Sequence, residues 1–272
     1  QGDITDYSFV YDAIKRYRPI FWYNLAAQSN VGQSFVDPIA AFEVNSKSVM
    51  VQLKAISELS PNTKFYQAST TEIYGGTTCP DSGYSELSTI HPISPYAISK
   101  ASAHWITRYY RDSLGLYACN GITGNHSSPR RGFDFATRKI TSGTAKIKLG
   151  LQDKIMMGNL NAFRDEGHSR DYINAIYLIM NQDCADDYII STGSGATIED
   201  MFRYVCKIAN LRFEDVYQMD ERYIRPSDVP RLLGDPKKLR AKTGWSPSYN
   251  WRELLKEMYE SDIQKIRNGD IK

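Results

Sequence analysis

A chain of 272 residues, 42% hydrophobic and 24% charged, can bury a large core, as one α/β domain or as a domain with a smaller lobe. A formal charge of +2 provides no basic surface for nucleic acid, and no apolar run approaches the ~18 residues of a membrane span. Cys79, Cys119, Cys184 and Cys206 are scattered without a CxxC pair, and His91, His104, His126 and His168 have no metal-ligand spacing. No signal-peptide pattern is present, so reduced thiols in a cytoplasmic protein are expected, not a disulfide framework or a zinc site.

In chain order, Asp6 can cap a helix whose apolar residues Phe9, Val10, Ala13, Ile14 and Tyr17 recur at helical spacing, with Pro19 ending it. The apolar run Ile20 to Ala26 predicts a buried parallel strand. A helix follows from about Pro38 to Leu59, then a strand from Thr63 to Ser69 that ends in Thr70-Thr71-Glu72. Ser94-Pro95 fixes the entry to a helix that opens at Tyr96 and runs to about Leu114. Leu116 to Thr123 reads as a strand, Phe133 to Leu149 as a helix, and Tyr188 to Ser191 as another strand. Gly193-Ser194-Gly195 reads as a plain turn into the helix Ile198 to Asn210, and the last helix spans about Trp251 to Ile266. Strand-helix alternation predicts a doubly wound parallel sheet. Such a nucleotide-binding sheet should begin with G-x-G-x-x-G, which this sequence does not contain. The expectation is a fragment lacking the first strands and the phosphate-binding loop.

The candidate chemistry lies in Thr70, Glu72, Tyr96 and Lys100. Residues i and i+4 share a helix face, so Tyr96 and Lys100 can serve one ligand. A nearby ammonium favours the phenolate, which suits tyrosine for removing a proton from a hydroxyl. The spacing alone is weak, since Tyr11-x-x-x-Lys15 also matches it. Only Tyr96 follows a strand ending in a hydroxyl and a carboxylate, and strand ends facing helix starts are where open α/β sheets place ligands.

Several segments carry a family resemblance: Asn24 to Ser29, Phe65 to Gly75, Ser94 to Lys100, and above all Gly124-Asn-His-Ser-Ser-Pro-Arg-Arg-Gly132. Arg164-Asp-x-Gly-His168, Arg170-Asp-Tyr172 and Arg225-Pro-Ser-Asp-Val229 follow in family order. The chain resembles the extended short-chain dehydrogenase/reductases, and within them the GDP-mannose 4,6-dehydratase family, over nearly its whole length. The resemblance implies a Rossmann-like α/β sheet, with residues 1–125 as the remaining NADP-binding domain. Residues 126–272 would then be mainly a substrate lobe with segments returning to the sheet.

It also implies roles. Asp3, Ile4, Leu25, Ala26, Ala27, Gln28, Ser29, Lys100, His126 and Arg131 would face NADP. Asn125, Lys139, Arg164, Arg225 and Asp228 would hold GDP-mannose. Thr70, Glu72, Tyr96 and Lys100 would be catalytic, converting GDP-mannose to the 4-dehydro-6-deoxy sugar by internal redox and loss of water. A homo-oligomer, dimer or tetramer, would be the working form. Departures stand at Ala40, where the family commonly has tyrosine, at Glu166 (tryptophan) and at Asp228 (glutamate). Plainer readings stay open: Glu72 as a solvated carboxylate, His126 as a strand-end histidine, Arg130 and Arg131 as a surface pair. Lys139 reads equally as an exposed-face lysine, and Arg164 and Arg225 as structural ion pairs. Another nucleotide-sugar dehydratase or epimerase, or a non-catalytic nucleotide-sugar-binding fragment, is the alternative function.

Overall fold

Asp6 does cap the first helix of the computed structural model, which describes residues 1–271. Its carboxylate accepts from Phe9 N at 3.1 Å and starts α1 (Tyr7–Tyr17), which Arg18 closes in a left-handed conformation at φ 38. Only Val10 and Ile14 of its apolar residues are buried. Phe9 and Tyr17, at the same helical spacing, are exposed.

The chain continues through β1 (Phe21–Asn24), α2 (Val31–Val36), α3 (Pro38–Phe42), a π-helical turn at Glu43–Lys47, and α4 (Ser48–Leu59). Next come β2 (Lys64–Thr70), a 3-10 turn at Thr71–Tyr74, α5 (Pro95–Asp112), β3 (Ala118–Thr123) and β4 (Asn125–Ser127). Then follow α6 (Ala136–Lys148), β5 (Ile155–Met157), β6 (Phe163–Arg164), β7 (Glu166–His168), α7 (Ser169–Met180) and β8 (Asp187–Ile190). The remainder is β9 (Ala196–Thr197), α8 (Ile198–Ala209), α9 (Phe213–Val216), β10 (Tyr217–Met219), β11 (Arg231–Leu232), α10 (Lys237–Thr243) and α11 (Trp251–Arg267). One predicted helix from Pro38 to Leu59 is thus two helices joined by a π turn, in which Asn45 is buried. The predicted Gly193-Ser194-Gly195 turn leads into α8 through a reciprocal Thr197–Asp200 capping box.

Contacts divide the chain into two compact units. The first comprises Gln1–Thr123, Asn174–Ile190 and Gly234–Trp245, and the second the rest. In the first, four strands pair in parallel in the order β1-β2-β3-β8. Their crossover helices bury Val10, Ile14, Val49, Leu53, Ile56 and Phe65 in a common core.

Of the run Ile20 to Ala26, Phe21–Asn24 forms β1, at one border of the described sheet and less buried than the apolar run predicts. Tyr23 is 42% exposed, Phe21 and Trp22 are half-buried, and Asn24 alone is inside. An apolar string reports strand propensity but not how many neighbours the strand will have. The other edge is covered: Glu86 accepts from Ile189 N at 2.8 Å, and Lys238 donates to Asp187 O at 2.8 Å. Those contacts occupy groups a further strand would need.

In the second unit, α6, α8 and α11 bury Ile140, Met201, Phe202, Val205, Leu254, Leu255 and Met258 around one core. Short pairs frame it: β5 with β10, β4 with β7, and β6 between β9 and β11. Cys119 and Cys206 are buried, and none of the four cysteines forms a disulfide among the described residues. Among the described residues no cluster of His, Cys, Asp and Glu fits a metal, and no helix is long and apolar enough to cross a membrane.

Candidate active site

In the first unit, the carboxyl end of β2 meets the start of α5. Thr70 ends the strand and its Oγ1 accepts from Glu72 N at 3.3 Å, starting the 3-10 turn that carries Glu72, itself half-buried. Pro95 pre-sets the first turn of α5 and Ser94 Oγ accepts from Ala97 N at 3.1 Å. Tyr96 and Lys100 are both buried on α5, which packs on β2 and on the Glu72 turn. Lys100 Nζ donates to Ala68 O at 2.9 Å, one of the last carbonyls of β2. Burial pulls the Lys100 ammonium down to about 8. The competing motif is different: Tyr11 Oη donates to Glu58 at 3.1 Å, and burial together with that carboxylate raises the phenol. A phenol beside an acid is the wrong partner for a base.

The expected cofactor segment Leu25 to Ser29 follows β1, and a residue the motif reading missed holds it. Asn45 Oδ1 accepts from Gln28 N at 2.9 Å, while its Nδ2 donates to Gln28 O and to Ser99 Oγ, each at 3.0 Å. Ser99 lies between Tyr96 and Lys100 and donates to Tyr96 O at 2.7 Å. Asn45 therefore ties the loop after β1 to the helix of the candidate base. Ser34, also missed, accepts from Tyr96 N at 3.1 Å. The sequence signal was a polar residue at a position of buried periodicity. π turns are often found at functional sites. Asp3 and Ile4 lie ahead of α1, where Asp3 accepts from Thr5 N at 2.8 Å and Ile4 packs on the core. Ala40, a departure from the family, sits exposed on α3.

In the second unit, β4 and β7 pair in parallel, with Asn125 opposite Glu166 and His126 opposite Gly167. A Cβ at Gly124 would crowd the Ser191 hydroxyl, which donates to Asp165 and would have to turn away. His126 stacks on Tyr172 at 4.7 Å, and its Nδ1 donates to Gly124 O at 3.0 Å. Burial lowers this imidazole to about 4. It is therefore neutral at pH 7, with Nε2 an acceptor. The Arg131 guanidinium carbon lies 3.6 Å from the Phe135 ring centroid. Glu166, at the tryptophan position, is a buried carboxyl that accepts from Ser127 Oγ in a very close contact. Burial raises it, opposed first by the charge of Arg131.

Arg164 and Arg225 share one carboxylate. Arg164 Nη2 lies 3.0 Å and Arg225 Nη1 3.6 Å from Asp228 Oδ1, while Arg164 Nη1 donates to Val229 O at 2.8 Å. Asn159 Nδ2 donates to Asp228 Oδ2 at 3.0 Å. Lys139 is half-buried with Nζ 3.7 Å from the Tyr223 ring centroid, and burial lowers its ammonium. An open groove of about 550 Å³ elsewhere in this unit, walled by Tyr204, Lys207, Trp251 and Arg252, includes none of the expected site residues.

Residues 1–258 match the family model described as GDP-mannose 4,6 dehydratase. The chain belongs to the GDP-mannose 4,6-dehydratase family. It is 41% identical to GDP-mannose 4,6 dehydratase 2 of Arabidopsis thaliana, with 99% of the chain and 73% of that protein covered. It is 39% identical to the GDP-mannose 4,6-dehydratase of Yersinia enterocolitica, covering 98% of the chain and 79% of the relative. Among solved structures it resembles RMD from Pseudomonas aeruginosa, complexed with NADPH, at a TM-score of 0.87 and 22% identity. That likeness covers 97% of this chain and 88% of the other, and it establishes the Rossmann-type fold expected of this dehydratase family.

Proposed function

We propose that this chain converts GDP-mannose to GDP-4-dehydro-6-deoxy-mannose as an NADP-dependent hydro-lyase. Membership of the family supports the reaction, and one observation supports the site. The Lys100 ammonium is buried at the end of β2, on the helix that carries Tyr96 and against the strand that carries Thr70.

The residues fit the nicotinamide half of the cofactor. Lys100 has three N–H donors and donates one to Ala68 O, which leaves donors for a ribose hydroxyl. Gln28 Oε1 is a buried acceptor with no donor, able to receive a ribose hydroxyl or a carboxamide N–H. His126 Nε2 offers another acceptor, and Arg131 suits phosphate oxygens. When bound, NADP supplies the acceptor and later the donor of one hydride.

The protein's own groups move the protons. Tyr96 takes the proton of the sugar O4 hydroxyl, with Thr70 orienting that oxygen and the Lys100 ammonium favouring the phenolate. The 4-keto group that results acidifies the C5 proton, which Glu72 removes. Glu72 then protonates the C6 hydroxyl, which departs as water. Hydride returned to C6 and a proton to C5 complete the product, so no net oxidant is consumed. On the second unit, Asn125, Lys139, Arg164 and Arg225 supply neutral and cationic donors for the nucleotide diphosphate, with Asp228 accepting from a ribose hydroxyl. A homo-oligomer is the proposed working assembly.

Glu72→Gln separates this dehydratase from an epimerase of the same fold. With GDP-mannose and NADP, the variant should oxidise C4 slowly and form no 6-deoxy product, followed by mass spectrometry of the nucleotide sugar. Elimination at the wild-type rate would remove Glu72 from the mechanism.

A further inference from the structure

The segment between β4 and α6 carries Arg131, and it is fastened by charges remote in sequence. Pro129 O receives two cationic donors, Arg138 Nη1 at 2.8 Å and Lys265 Nζ at 2.7 Å. Arg138 lies in α6 and Lys265 in α11, so this carbonyl joins the segment to both helices. Arg138 is in turn fixed by Asp262, whose Oδ1 lies 2.8 Å from Arg138 Nη2. Asp262 Oδ2 accepts from Thr141 Oγ1 at 2.8 Å. Both members of the ion pair are buried, Asp262 at 0% exposure and Arg138 at 2%. Asp262 and Lys265 are i, i+3 neighbours on α11, so one helix face supplies both the anchor and the second donor.

The segment beyond Pro129 is short and turn-bound. Arg131 N donates to Ser128 O at 2.9 Å, and the guanidinium lies over Phe135, next to the first residue of α6. The Arg131 backbone is tied through Ser128 to the stretch that Pro129 O anchors, while its guanidinium lies against Phe135 with its charge felt by the Glu166 carboxyl. A buried ion pair contributes little net stability once desolvation is counted, while losing one partner leaves the other charge stranded. Here the pair has a directional consequence. With one guanidinium nitrogen held by Asp262, the other is aimed at the Pro129 carbonyl.

We propose that Asp262 and Arg138 are positioning residues for Arg131: their ion pair in the α6–α11 core clamps the Ser128–Phe135 segment so that the arginine is pre-set for a phosphate group. This rests on the reading above, in which Arg131 faces NADP. Neither residue touches a ligand in this scheme. They lower the ordering cost of binding instead.

Three variants test the clamp, read by hydrogen exchange, ligand affinity and melting temperature. Asp262→Asn keeps the size and the Thr141 contact but removes the charge. Arg138→Met removes both donors. Arg138→Lys keeps a charge for Asp262 yet cannot reach two acceptors in fork geometry. Amide hydrogen exchange over residues 128–135 should quicken in all three, while protection of α8 and β3 is retained. NADPH affinity, read by the fluorescence of the bound dinucleotide, should fall about tenfold, the effect of one charge-assisted hydrogen bond, with affinity for GDP unchanged. Arg138→Lys should show this loss with a melting temperature close to wild type, which a merely structural role would not produce. Unaltered exchange over 128–135 in folded Asp262→Asn would overturn the proposal. Should the wild-type chain not bind NADPH, the cofactor reading fails and the exchange experiment still decides the clamp.

Discussion

Lys100 in the first unit and Arg164 in the second are both buried cations, 3% and 7% exposed, in opposite surroundings. Lys100 donates to a backbone carbonyl, and burial alone brings its ammonium to about 8, within reach of ordinary pH. Arg164 is matched by Asp228 at 3.0 Å and by the carbonyls of Phe163 and Val229. A guanidinium does not give up its proton in proteins, so its charge is permanent. One site holds a charge that can move and the other a charge that cannot. The first suits proton transfer, and the second suits holding an anion.

The sharpest way to break this contrast is Tyr96→Phe. Removing the phenol should lower kcat by ~10²–10⁴-fold at saturating GDP-mannose, the usual worth of a general base. A near-normal rate would make the Lys100 environment structural. A smaller effect comes from pH. The ammonium is present below about 8 and lost above it, so turnover should decline as pH rises through that value. Lys100→Arg should abolish the decline while lowering the overall rate. If the alkaline limb survives in that variant, another group titrates. The smallest effect is expected in the second unit, where Arg164→Lys keeps the charge but loses the fork that spans Asp228 and Val229 O. The KM for GDP-mannose should rise about tenfold with kcat nearly unchanged, the pattern of lost uniform binding. A drop in kcat with constant KM would instead place Arg164 in the chemistry.

The core of the first candidate site is legible in the sequence because its signals are local. A hydroxyl and a carboxylate end one strand, and i, i+4 spacing brings Tyr96 and Lys100 to one helix face. Much of the fold was equally legible, since alternating elements dictate a parallel sheet. Partners far apart in sequence could not be read. Asn45 is 17 positions from the Gln28 amide it holds and 54 from Ser99, and a π turn that periodicity does not foretell delivers it. Asp228 meets Arg164 across 64 positions. The clamp that joins Arg138 to Asp262 depends on how α6 and α11 pack, which no motif encodes. Phe9 and Tyr17 share the helical spacing of Val10 and Ile14 yet lie exposed, because periodicity marks a face but not how far the core extends along it.

The two borders of the parallel sheet have a last consequence. At β8, Glu86 and Lys238 occupy backbone groups that a neighbour would require, whereas β1 presents Tyr23 to solvent. A strand laid beside β8 would first have to displace the Glu86 carboxylate and the Lys238 ammonium, so charged side chains seal this flank against use as a pairing template.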